Sequence, residues 1–260
     1  MEYVTSKDGT SIACDKLGYG PPVILVCGGS VDRMSNAGLA DVLASHFTVC
    51  NYDRRGRGDS GDTAPYAVER EIEDIAAVVE AAGGTAYLYG TSSGAALALE
   101  AARALPAMIT RLALWEPPYI IEGTRALPPA NTAQIYRDLV AQGKRGEAVE
   151  YFMLKVVGLP PDFAAFARTQ PWWAGQEAIA HTLAYDAEVM ADYGLPTERA
   201  AAVQTPTIVL AGGASFPFII TTAEKLAEVM PNAQYQLLKD QQHNVDPAVI
   251  GQALTAFFNG

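Results

Sequence analysis

The chain opens on short apolar runs set between turn-formers: Glu2–Ser6, Ser11–Leu17, Pro22–Gly28 and Phe47–Asp53. Each is rich in β-branched and aromatic residues, and Gly18-Tyr19-Gly20-Pro21 breaks the series, so each reads as a strand. Their near-continuous apolar character predicts a sheet buried on both faces. Asn36–His46 carries helical spacing between the last two strands. From Asp53 onward the period alternates: a helix over Ala67–Gly83, a strand over Thr85–Gly90, a helix over Ser93–Leu105 and a strand over Ile109–Trp115. The alternation then stops. From Tyr119 to Val203 every periodic segment is helical, notably 130–143, 145–158 and 175–190, and prolines interrupt them. After Pro206 strand and helix alternate again, as Thr207–Gly213, Thr221–Met230, Ala233–Lys239 and Asp246–Phe258.

This order predicts an α/β fold with a mostly parallel, eight-stranded sheet flanked by helices. We divide the chain into a core formed by residues 1–118 and 203–260 and a helical cap at 119–202.

Composition narrows the partners. Half of the 260 residues are apolar, enough for a sizeable core, and the net charge is −11 with no Lys/Arg run. Phosphate backbones and anionic membranes both demand concentrated positive charge, so neither nucleic acid nor membrane is expected as a partner. The N-terminus lacks an apolar stretch of signal length, and no segment is apolar for about 20 residues, so a cytoplasmic location is expected. Cys14, Cys27 and Cys50 lie in strand-like runs without paired spacing, which predicts buried thiols rather than disulfides or a zinc site. No cofactor or metal is expected. The partner is a small-molecule substrate, and the oligomeric state, monomer or dimer, stays open.

One strand-to-helix junction carries chemistry. Gly90-Thr91-Ser92-Ser93-Gly94 matches G-x-S-x-G, the nucleophile elbow, and lies where the strand ending at Gly90 meets the next helix. A reversal that sharp brings the positions on either side of the corner together, so only small residues fit there. Gly56-Arg57-Gly58-Asp59-Ser60-Gly61 formally spells a dinucleotide fingerprint. No helix opens within its glycines, however, so it does not read as one. The three arginines of that loop, Arg54, Arg55 and Arg57, are expected to pair with Asp53 and Asp59.

With the elbow, the stretch Asp53–Ser60 in the form D-x-R-G-x-G-x-S, the Gly-rich 23–30 and Gln242-His243 after the last strand, the chain resembles the α/β-hydrolase superfamily. Its small actinobacterial-type serine hydrolases with a helical cap are the nearest in wording. The resemblance implies that Ser92 is the nucleophile, that His243 is the base, and that the backbone N–H groups of Gly29 and Ser93 form the oxyanion hole. Among the other histidines, His46 reads as a surface or capping residue and His181 as a structural one. The superfamily's usual acid, an aspartate after the seventh strand, is missing: that loop reads Ala-Gly-Gly-Ala-Ser-Phe, with Ser215 nearby. Some lipases of the superfamily take the acid from the preceding strand end, which here is Glu116. Asp240 and Asp246 flank His243 as weaker alternatives.

Tyr151, Phe152, Phe163, Phe166, Trp172, Trp173 and Tyr185 make the cap aromatic, mostly for packing and partly for a pocket wall. That inventory suits a small or medium, mainly apolar ester, thioester or lactone, and suits acidic or phosphorylated substrates poorly. The expected activity is that of a carboxylesterase-like serine hydrolase. The alternatives are a lyase, cyclase or perhydrolase on the same fold, or a non-catalytic small-molecule binder.

Overall fold

A computed structural model describes residues 1–260. Its strands are β1 Glu2–Thr5, β2 Ser11–Leu17, β3 Pro22–Val26, β4 Thr48–Tyr52, β5 Ala86–Thr91, β6 Ile109–Trp115, β7 Thr207–Gly212 and β8 Ala233–Leu238. They form one sheet in the order β1-β2-β4-β3-β5-β6-β7-β8. The pairs β1/β2 and β2/β4 are antiparallel, and every other neighbouring pair is parallel.

Both faces are covered, as the continuous apolar runs predict. Side chains alternate across a strand. In β3, Val23 and Leu25 join one apolar cluster, and Ile24 and Val26 join the other. The first cluster is closed by α1 (Ala37–Leu43) and α11 (Pro247–Asn259) through Leu39, Leu43, Ile250, Leu254 and Phe258. The second is closed by α2 (Val68–Ala81), α3 (Ser93–Ala104) and α10 (Pro217–Val229), through Ile75, Val78, Leu97 and Leu226 among others. Cys14, Cys27 and Cys50 are buried as free thiols. No helix is long and apolar enough to cross a membrane.

Between β6 and β7 the chain is helical, with α4 Thr132–Ala141, α5 Arg145–Tyr151, α6 Pro161–Ala167, α7 Trp173–Ala178, α8 Leu183–Met190 and α9 Thr197–Ala201. Two helices read as continuous in the sequence are broken. The 145–158 segment widens into a π-helical turn at Phe152–Val157 and stops at Gly158 in the left-handed region. The 175–190 segment is interrupted by a 3-10 turn at Ala180–Thr182, where the Thr182 hydroxyl donates to the Ile179 carbonyl at 2.8 Å. A threonine hydroxyl that captures a carbonyl within its own turn competes with the helical ladder, and the periodicity of apolar residues does not register it. The helix read as starting at Thr221 begins at Pro217 instead, where proline's missing N–H is no loss in the first turn.

Candidate active site

The corner at Ser92 follows from its neighbours. β5 ends at Thr91 and α3 begins at Ser93, leaving Ser92 at φ 55°, ψ −125°. A non-glycine residue held there carries strain of about 1–3 kcal/mol, so the surroundings must enforce it. They do so through hydrogen bonds and close packing. The Ser92 N–H donates to the Trp115 carbonyl at 2.9 Å, and its carbonyl accepts from Ala95 N–H at 2.9 Å. A Cβ at Gly90 would sit 2.7 Å from the Ala95 Cα, and one at Gly94 would sit 2.6 Å from the Val26 carbonyl oxygen. Both glycines are therefore steric requirements of the turn, as the motif implies.

One strand away, the end of β6 places a carboxylate. Glu116 follows Trp115 with φ 47°, and its carboxylate is fully buried. Three donors satisfy it: Gly212 N–H at 2.8 Å, the Ser215 hydroxyl at 2.9 Å and His243 Nδ1 at 2.5 Å. A buried carboxylate without partners would be severely penalised, and here each oxygen has at least one. The absence of a side chain at Gly212 matters for the same reason. A Cβ there would lie 3.2 Å from Glu116 Oε1 and 2.7 Å from the Gln241 carbonyl carbon, in the space the glutamate occupies. Trp115 holds the other side of the histidine by donating its indole N–H to the His243 carbonyl at 3.0 Å. Trp115, the last residue of β6, and Glu116 just after it thus grip His243 by backbone and ring.

The other candidates fall elsewhere. Asp246 caps α11 by accepting from Ala248 N–H at 2.8 Å, and Asp240 is exposed at a turn. His46 is exposed at the end of α1. His181 lies 3.4 Å from Asp62 and 3.1 Å from Arg145 in a surface cluster. Ser92 and His243 face a common cavity of about 630 Å³, together with Gly28, Gly29 and Ser93.

The loop after β3 is held by Arg57 and by two residues the sequence did not single out, Asp186 and Gln176. Arg57 donates to the Gly28 carbonyl at 2.5 Å and to the Val31 carbonyl at 3.2 Å. The C=O and N–H of a trans peptide point in opposite directions, so this grip turns the Gly29 N–H away from Arg57. A Cβ placed on Gly28 would stand 3.2 Å from Ser92 Cβ, which locates that peptide beside the elbow. Neither the Gly29 nor the Ser93 N–H is taken up by a backbone acceptor. Asp186 of α8 completes the arrangement. Its carboxylate accepts from Arg57 at 2.7 Å, Arg54 at 2.8 Å and the Ser93 hydroxyl at 2.8 Å. Burial alone would raise its pKa, but Arg57 and Arg54 hold it below the ordinary carboxylate value. Gln176 of α7 adds a second grip on the loop. It donates to the Ser30 carbonyl at 2.7 Å and accepts from the Ser30 hydroxyl, with Ser30 itself at φ 57°.

The expected arginine pairings are therefore corrected. Arg54 pairs with Glu71 and Asp186, Arg55 with Asp74 and Asp8, and Arg57 with Asp186. Asp53 and Asp59 are taken by Arg33. Sequence neighbours in a tight glycine loop fan outward in different directions, and each guanidinium finds the carboxylate it points toward. Asp186 had one sequence signal, an acid within an otherwise apolar helical face.

Phe152, Phe163 and Trp172 of the expected pocket aromatics line the cavity, joined by Phe216 and Phe218. Others pack away from it: Tyr185 stacks on Tyr66 at 3.8 Å, and Tyr151 meets Tyr136 edge-on.

Comparison with known proteins bears on the fold. A hydrolase structure from Sphaerobacter thermophilus, described as an alpha/beta hydrolase, superposes with a TM-score of 0.93 at 52% identity, over 99% of this chain and 100% of that one. Among curated proteins, an uncharacterized hydrolase, YraK, of Bacillus subtilis is 34% identical over 96 residues, 35% of each chain. A pimeloyl-[acyl-carrier protein] methyl ester esterase of Methylococcus capsulatus is 36% identical over 98 residues, 37% of each chain. The chain thus matches little more than a third of the length of these curated relatives. The profile of the Alpha/beta hydrolase family matches residues 23–250, and on that span, with the sheet and elbow described above, the chain belongs to the alpha/beta hydrolase family.

Proposed function

We propose that the chain is a serine hydrolase that cleaves a small or medium, mainly apolar carboxylic ester, thioester or lactone. The observation that carries the reading is the 2.5 Å contact between His243 Nδ1 and buried Glu116, on the wall of the cavity that also holds Ser92. A histidine with its Nδ1–H held by a carboxylate presents a basic Nε2, the property a serine needs in order to lose its proton.

The route uses groups of the chain throughout. Ser92 Oγ attacks the carbonyl carbon while His243 Nε2 takes the hydroxyl proton, and the carbonyl oxygen becomes an oxyanion. The N–H groups of Gly29 and Ser93 stabilise that charge, each donor worth about 3 kcal/mol in the transition state. His243 then gives its proton to the leaving oxygen or sulfur, the bond to carbon breaks, and an acyl-serine remains. Water, deprotonated by the same nitrogen, attacks the acyl carbon and frees the acid and Ser92. The helical segment acts as a cap that supplies the apolar wall and excludes bulk water. The curated methyl ester esterase among the relatives supports ester chemistry.

Fluorophosphonate labelling followed by an ester panel of varied acyl length tests the reading. Native protein should label and turn over esters, and Ser92→Ala should do neither. Equal resistance to labelling in both proteins would end the assignment.

A further inference from the structure

Arg125, in the loop between β6 and α4, is the only arginine or lysine lining the cavity. Acidic residues outnumber basic ones in this chain by 29 to 18, so counter-ions are plentiful. The arginines buried in the core each hold at least one carboxylate: Arg33 with Asp53, Arg54 with Glu71, Arg55 with Asp74 and Arg57 with Asp186. Arg125 holds none. It donates to the Val156 carbonyl at 2.9 Å and the Val157 carbonyl at 3.2 Å, and its guanidinium lies 4.7 Å over the Phe218 ring. Those contacts fix the plane of the group and use two of its five N–H donors. Arg125 is half-buried, and that burial holds its pKa below the ordinary arginine value.

The remaining charges on the wall are already neutralised or assigned. On the wall itself, Asp186 is held from behind by Arg54 and Arg57, and His243 faces the buried Glu116. The cavity is otherwise largely apolar: Val156 and Val157, whose carbonyls Arg125 holds, line it together with Leu159 and Phe163. We propose that Arg125 is an anion-recognition subsite and that the natural ester carries a free carboxylate, separated from the scissile carbonyl by an apolar spacer. A planar guanidinium matches a carboxylate in shape and charge. A phosphate monoester would leave surplus negative charge in an apolar cavity that offers one cation. Weighing the aromatic content alone overlooks this group. The proposal rests on the hydrolase reading for its scissile bond, but the subsite can be measured without turnover.

The test is calorimetric titration of Ser92→Ala protein with the monomethyl esters of straight-chain diacids from succinate to suberate, each beside its dimethyl ester. At least one half-ester should bind about tenfold tighter or better than its dimethyl partner. Arg125→Gln in the same background should erase that preference, so that each half-ester binds no tighter than its dimethyl partner, while Arg125→Lys should retain part of it. Equal affinity for charged and neutral esters across the series would overturn the subsite. If Arg125→Gln fails to fold, the preference measured in the protein that retains Arg125 still decides the question. Native enzyme on the same esters separates the two readings. A charge preference without hydrolysis refutes the proposed function alone, and hydrolysis without a charge preference refutes the subsite alone.

Discussion

At the scale of single residues, Glu116 shows how one fully buried carboxylate is satisfied by donors from three places in the chain. Its oxygens reach Gly212 at the end of β7, Ser215 just beyond it and His243, so that corner supports the carboxylate proposed as the acid. Glu116→Gln preserves shape but removes the charge that stabilises the imidazolium. We expect kcat to fall by about 10³–10⁴ with KM little changed, measured on the best ester of the panel. A loss below tenfold would mean that Glu116 is structural. Ser92 gives a separate test through its backbone. At φ 55° it bears strain that glycine escapes, so Ser92→Gly should be more stable than Ser92→Ala by about 1 kcal/mol, reversing the usual helix preference. Thermal melts of the two inactive proteins would show it, and the opposite order would contradict an enforced corner. The corner at Ser92 and the place of His243 after β8 were legible because the elbow motif and the order of elements are local signals. Glu116 was one of several acids that the sequence left open.

Among elements, α7 and α8 couple to the loop after β3. Asp186 binds Arg54, Arg57 and Ser93, and Arg57 in turn holds the Gly28 carbonyl. The helical segment therefore helps to hold the peptide between Gly28 and Gly29 and the Ser93 hydroxyl beside the elbow. Asp186→Asn keeps the shape and removes the charge, leaving two buried guanidinium groups short of a partner, at a stability cost of about 3–5 kcal/mol. We expect affinity for a trifluoromethyl ketone, which mimics the tetrahedral adduct, to fall about tenfold while ester KM moves less than about threefold. A parallel shift in both would indicate a purely structural role. The linkage has a definite sign. Because the folded pKa of Asp186 is depressed, its stabilisation is complete above the unfolded value, near 4, and is lost as pH falls through the lower folded value. The stability gap between native and Asp186→Asn protein should narrow in that acid window and stay constant above it, as denaturant melts at several pH values would show. None of this coupling was legible in the apolar periodicity, which reports which face of a helix is buried and not what it touches. The same limit explains why the breaks at 152–157 and 180–182 were read through as continuous helix.

For the molecule as a whole, the alternation of apolar runs, the glycines at turns and the succession of strands and helices were sufficient to indicate a doubly covered, mostly parallel sheet and a helical interruption. These are properties of neighbouring residues, written in propensities and short periods. The assembled site depends on something else. The sheet order sets β6 between β5 and β7, so the ends of three strands meet where Ser92, Glu116 and the support from Gly212 and Ser215 must coincide. Glu116 and His243 are separated by 127 positions, and Arg57 and Asp186 by 129. A carboxylate has no preference in the chain for one cation over another. Burial makes an unpaired charge intolerable, and strand order together with helix docking then decides which groups lie within reach.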